Sequence, residues 1–200
     1  MATQSILSSS GAVGDVVDVL DSAVAEQQRQ EALERVRAAE NLVATYSLAR
    51  TQINIRLKNL RSAEQQLLRD IGAEISDLAG EESDGIVAAL DTLMKIRTRL
   101  SVHSSALAVT VETKLPEATA KLRRAEGDLK MRAADVIDSR RWHRLRAHAD
   151  LLNALVESEG DTEVRPQRFE AEGEIANQMR TEGMRLIEQA EEIERTLKGK

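Results

Sequence analysis

His103, His143 and His148 are the residues of this chain whose side chains could most readily ligate a metal or carry a proton. A metal site on a helix would need histidines at offsets of three or four with a carboxylate beside them, and the three do not fall that way. A phosphate-binding loop would need glycines followed by Lys-Ser or Lys-Thr, an ending that Gly11 and Gly14 lack. No serine sits in a nucleophile-elbow pattern. Neighbouring carboxylates such as Glu191 and Glu192 read as a solvated helix face. Cysteine is absent, which excludes disulfides and thiol chemistry. The residues therefore predict no catalytic group, no metal site and no cofactor, and the expectation is a protein that is not an enzyme.

One stretch is chemically distinct. "SRRWHRLRAH" places Arg140, Arg141, Arg144 and Arg146 around Trp142. Arginines with an interleaved indole could grip phosphates, lipid headgroups or an acidic partner. The competing reading pairs them with acids on neighbouring subunits and lays Trp142 over apolar surface between helices. A weaker candidate lies near the start of the chain, where Val16, Val17, Val19 and Leu20 offer an apolar face to a membrane. Asp15, Asp18 and Asp21 would be repelled by anionic lipid.

The elements that must hold these residues are helices. Tyr46, Trp142 and Phe169 are the only aromatic rings, so a thick multilayer core is hard to build, and burial must come from stripes of Leu, Ile, Val and Ala. From Val36 the apolar register steps by three and four through Ala39, Val43, Tyr46, Arg50, Ile53, Leu57, Leu60, Glu64, Leu67 and Ile71, which is a coiled-coil seam. Two of those positions are charged. Burying Arg50 or Glu64 without an opposite charge would cost several kcal/mol, so each predicts a partner across the seam.

The helix carrying this seam is expected to start near Asp21 or Ser22 and to reach Leu78. "DLAGEESDGIVAAL" then supplies Gly80 and Gly85 with acids between them, the signature of a reversal, with the tip near residues 79–86. A return arm follows through Val87, Leu90, Met94, Arg97, Leu100, Leu107, Val111, Leu115, Leu122, Ala125, Leu129 and Val136. Pro116 should remove one of its hydrogen bonds and kink it near Thr113 to Leu115. The expected organisation is thus all-α: an amino-terminal segment over 1–21 that is flexible or a short amphipathic helix, a long antiparallel helical hairpin over 22–155, a linker over 156–166, and a shorter amphipathic helix over 167–198. Phe169, Ala176, Met179, Leu186, Ala190, Ile193 and Leu197 form the stripe of that last helix.

Nothing in the sequence reads as a secretory leader or an apolar run long enough to span a bilayer, so a cytoplasmic location is expected. A formal charge of -6 argues against general nucleic-acid binding, and no sequence-specific nucleic-acid partner is expected, although a local basic patch could still bind phosphate.

This layout resembles the phage-shock protein A family, bacterial relatives of ESCRT-III that include the plastid vesicle-inducing proteins. The tip "LAGEESDGIVAAL", the charged arm "ETKLPEATAKLRRAEGDLKMRA" and the late helix "RFEAEGEIANQM", with Arg168, Phe169, Glu170 and Met179 in matching places, carry the resemblance across roughly residues 22 to 185. It implies a homo-oligomer or polymer that binds and remodels membrane, peripheral at its inner face. By the same resemblance Phe169 and Met179 take part in assembly, alongside the seam charges Arg50 and Glu64. The alternative is a coiled-coil structural or adaptor protein, such as a virion component, that oligomerises without touching lipid.

Overall fold

The computed structural model describes the backbone of residues 7–77, 84–156 and 167–199, and the side chains of residues 21–75, 84–150 and 170–199. Every element is helical: α1 (Leu7–Asp77), α2 (Asp84–Val109), a π-helical turn (Thr110–Lys114), α3 (Leu115–Val156) and α4 (Gln167–Lys198). The chain is all-α, as its composition predicts.

Helix α1 begins well before the expected caps at Asp21 or Ser22. Once a helix is nucleated, each added residue contributes a hydrogen bond, and Gly11 or Gly14 costs only about 1 kcal/mol against alanine. No proline stands in the way. At the other end of the reversal, Gly85 is the second residue of α2 rather than part of the turn. Asp84 begins that helix, where a carboxylate meets the positive end of the dipole. The rest of the proposed tip and the linker from 157 to 166 lie outside the described residues.

Pro116 acts through the turn before it. It has no N–H to donate, and its ring crowds the carbonyl four residues back. The Leu115 N–H donates to the Thr110 carbonyl, five residues back, so the helix widens by one residue just ahead of the proline. Val109 and Leu115, which bracket the turn, keep helical dihedrals of φ -57°, ψ -43° and φ -68°, ψ -45°. Helical geometry is continuous on both sides of the wide turn.

The chain forms two compact units. Unit 1 gathers Met1–Glu40 with Thr119–Gly199, and unit 2 is Asn41–Ala118. In unit 1 the buried hydrophobic residues are, apart from Leu186, small: Ala32, Val36 and Ala39 on α1, Ala120, Ala134 and Val136 on α3, and Ala176 and Ala190 beside Leu186 on α4. Small residues at the contact let helix backbones approach closely, so this core holds by proximity rather than by bulk. The closest approach joins α3 to α4. A Cβ built on Gly127 would stand 2.6 Å from the Gly183 carbonyl oxygen and 2.8 Å from Ile187 Cγ1. One built on Gly183 would stand 2.8 Å from the Gly127 carbonyl oxygen. Neither position can carry a side chain without pushing the helices apart. The expected stripe of α4 runs along this contact, with Ala176, Leu186 and Ala190 buried and Met179 half-buried.

Unit 2 is an antiparallel pair made by α1 from Asn41 onward and α2. On α1, Val43, Tyr46, Ile53, Leu57, Leu60, Glu64, Leu67 and Ile71 turn inward, buried or half-buried. Those are the seam positions predicted from the sequence, with one exception: Arg50 is exposed and has no ion-pair partner among the described residues. A long arginine on a two-helix pair extends past the seam into water instead of paying desolvation. Glu64 does find the opposite charge predicted for it, because Arg97 Nε donates to Glu64 Oε1 at 3.0 Å.

The register of the return arm differs from the expected one at its start. Ile86, Ala89, Leu93 and Ile96 face inward, while Val87, Leu90 and Met94 are exposed. The stretch "IVAALDTLMKI" carries two adjacent apolar stripes at the same three-four spacing. Periodicity cannot choose between them. The partner helix selects the one that meets Ile71 and Leu67, and leaves the other in solvent.

Candidate assembly surface

Two surfaces invite a functional reading, one in each unit. In unit 2, Leu68, Ile75 and Leu90 each follow an inward residue by four positions, and Val87 and Met94 each follow one by a single position. On an antiparallel pair those offsets place all five on one flank. They are large, apolar and open, with Val87 at 68%, Met94 at 64% and Ile75 at 57% exposure. Single exposed aliphatics are ordinary, whereas a run of five along one flank is not. Its chemistry is that of a helix–helix contact that lacks its second half.

In unit 1 the arginine-tryptophan stretch lies on α3. Arg140, Arg141 and Arg144 are held by acids of the same unit. Arg140 Nη2 reaches Glu26 Oε2 at 3.5 Å, Arg141 Nη1 reaches Asp138 Oδ1 at 3.8 Å, and Arg144 Nη2 donates to Glu172 Oε2 at 2.6 Å. Each of the three thus has an acid of its own unit within ion-pair distance, while Arg141 Nε is buried without a hydrogen-bond partner. Arg141 also lies over the Trp142 ring, 5.8 Å from its centroid. Gly173 on α4 makes room for the Arg141 guanidinium, since a Cβ there would stand 2.5 Å from Nη1. Trp142 itself is 60% exposed and, with Val24, Ala25 and Gln28, lines an open groove of about 620 Å³. The indole is therefore not sealed between helices.

Further ion pairs of unit 1 fasten α3 to its neighbours. Arg35 Nη1 donates to Asp128 Oδ2 at 2.8 Å, Arg124 reaches Glu194 at 3.2 Å, and Arg180 spans Asp135 at 3.2 Å and Asp138 at 2.6 Å. Lys130 bonds to Glu182. The hydrogen bond from Lys130 holds the Glu182 carboxyl below its ordinary value of 4.5, and the Arg29 hydrogen bond, helped by Gln30 and Arg140, does the same for Glu26. A carboxyl whose folded value is lowered adds stability above its unfolded value and loses it as pH falls through the folded one. Unit 1 should hold a constant melting temperature from about pH 7 to about pH 5 and lose it progressively below 4.5. Glu182→Gln should flatten part of that fall. A melting temperature unchanged down to about pH 3 would show that these pairs contribute nothing.

Of the other residues singled out from the sequence, Val16, Val17, Val19, Leu20 and Phe169 have side chains outside the described residues. His103 and His143 are half-buried in different units, and His148 is half-buried in unit 1. Among the described residues no three His, Asp or Glu side chains gather as a metal site, and no helix is long and apolar enough to cross a membrane. Gly127 and Gly183 escaped sequence reasoning altogether. Their signal was present: Gly183 lies seven residues after Ala176 and seven before Ala190, on the buried stripe of α4. Comparisons with protein-family models, curated proteins and solved structures return no match at a significant level.

Proposed function

We propose that this protein is a non-enzymatic helical assembly protein whose copies join through the open flank of unit 2 in coiled-coil fashion. The observation that carries this reading is the set Leu68, Ile75, Val87, Leu90 and Met94, all apolar, all on one flank and all exposed. Covering a largely exposed Val, Leu or Met contributes roughly 1 kcal/mol or more, so one such contact is worth about 5 kcal/mol before the cost of association. A single pairing of two copies is then weak. Repetition along an array makes it stable through avidity.

Light scattering and negative-stain imaging of the pure protein test this directly. The native chain should form concentration-dependent oligomers. Leu90→Lys with Met94→Lys should keep helix content and melting temperature but abolish those oligomers. A native chain that stays monomeric at every concentration overturns the reading.

The resemblance to the phage-shock protein A family adds a membrane to the proposal, through the apolar residues Val16, Val17, Val19 and Leu20. Co-sedimentation with liposomes should then require assembly and be lost when residues 1–21 are deleted. Assemblies that ignore liposomes of every composition leave the structural or adaptor protein as the function.

A further inference from the structure

Neither helix pairing nor the apolar flank accounts for the charge distribution of unit 2. Acids outnumber bases in the chain, 34 to 28, yet no acid occurs between Glu40 and Glu64 or between Asp91 and Glu112. The pairing of Glu64 with Arg97 sets residues 50–63 beside residues 98–111. That section carries Arg50, Arg56, Lys58, Arg61 and Arg99 and no carboxylate. All five are exposed, and none has an ion-pair partner among the described residues. The neighbouring cations Lys95 and Arg97 are already taken, by Asp91 at 2.5 Å and Glu64 at 3.0 Å.

Five like charges over about 21 Å of a helix pair repel one another at low salt, a repulsion that a bound polyanion would relieve. Their placement favours one kind. Lys58 and Arg61 follow the inward Leu57 on one flank, while Arg56 and Arg99 precede Leu57 and Leu100 on the other, so the cations ring the pair. A flat bilayer would touch only half of them. A flexible or grooved polyanion can follow both sides. The exposed side chains between the cations include Asn54, Asn59, Ser62, Ser101, Ser104 and Ser105, whose amides and hydroxyls suit phosphate oxygens. Exposed aromatic rings for stacking bases are absent from this section, so recognition would rest on the backbone of the polymer.

We propose that the acid-free section of unit 2 binds the phosphodiester backbone of nucleic acid without regard to sequence. This stands apart from self-assembly, since it uses the cations rather than the apolar flank. Fluorescence anisotropy with a labelled mixed-sequence duplex of about 30 base pairs tests it. Binding should be present at about 50 mM salt and weaken roughly 500-fold by about 200 mM, the dependence expected for about five phosphate contacts. A second duplex of unrelated sequence should bind equally. The variant Arg56→Gln/Lys58→Gln/Arg61→Gln/Arg99→Gln should lose about two orders of magnitude in affinity. A control that removes as many cations from unit 1, Arg37→Gln/Arg185→Gln/Arg195→Gln/Lys198→Gln, should bind as the native chain does. Circular dichroism should show both variants folded. Absence of binding at about 50 mM salt overturns the proposal, as does equal loss in both variants. It is equally overturned if the cations prove to serve phosphatidylglycerol vesicles while the duplex is ignored, or if their removal changes only oligomer size.

Discussion

Gly127→Ala is expected to lower the melting temperature of unit 1 by roughly 10 °C, a loss of about 2 to 3 kcal/mol. In an ordinary helix interior the same change would stabilise by about 1 kcal/mol, because alanine loses less backbone freedom on folding. Here the new methyl meets the Gly183 carbonyl oxygen at 2.6 Å and Ile187 Cγ1 at 2.8 Å. Ile187 can rotate, but a backbone carbonyl cannot, so α4 must move off α3. That movement uncovers Ala176, Leu186 and Ala190, whose burial is what holds the helix down. Gly72→Ala is the matched control: a Cβ there meets nothing within 4 Å, and the substitution should raise stability by about 0.5 to 1 kcal/mol. Thermal unfolding followed by circular dichroism reads both. Equal small gains at the two positions would show that α3 and α4 do not approach as closely as described.

Leu93→Ala should destabilise unit 2 by about 2 to 4 kcal/mol, while Met94→Ala, one residue on, should change stability by less than about 0.5 kcal/mol. Leu93 is buried at 7% exposure and its deletion leaves a hole against α1. Met94 points to solvent at 64% exposure and has little packing to lose. The two substitutions remove side chains of similar size, so hydrophobicity alone predicts similar effects. Urea unfolding midpoints separate them. A larger loss at Met94 than at Leu93 would restore the register through Val87, Leu90 and Met94, and would remove the exposed flank on which the assembly proposal rests. At Met94 the expected loss is instead in oligomer size.

Helix content, the start of α4 at Gln167 and the inward face of α1 were legible from residue type and spacing. Leu, Ala, Glu and Arg favour helix, and steps of three and four leave one stripe dry. The stripe through Val36, Ala39, Val43 and Leu57 has no competing neighbour of equal strength, which is why its register was readable. At "IVAALDTLMKI" two stripes compete, and the choice passed to the partner helix. Arg50 lies at a seam position by spacing, yet a flexible stem on a thin two-helix pair reaches water, something no periodicity can report. Glu64 at the same kind of position is paired because Arg97 on the opposite arm comes within 3.0 Å.

The candidate surfaces divide in the same way. Amino-acid order alone determined that the chain lacks thiols, that its aromatic rings number three, and that two acid-free stretches lie between Glu40 and Glu64 and between Asp91 and Glu112. Those are properties of the list of side chains, independent of what touches what. Only the tertiary structure decided that the two acid-free stretches lie side by side, that Arg140 and Arg144 are answered by Glu26 and Glu172 of their own unit, and that Gly127 and Gly183 mark the close passage of α3 and α4. The physical reason is range. Helix propensity and stripe formation are settled within a few turns of one chain segment, whereas charge pairing and backbone approach depend on residues 28 to 114 positions apart that only packing brings together.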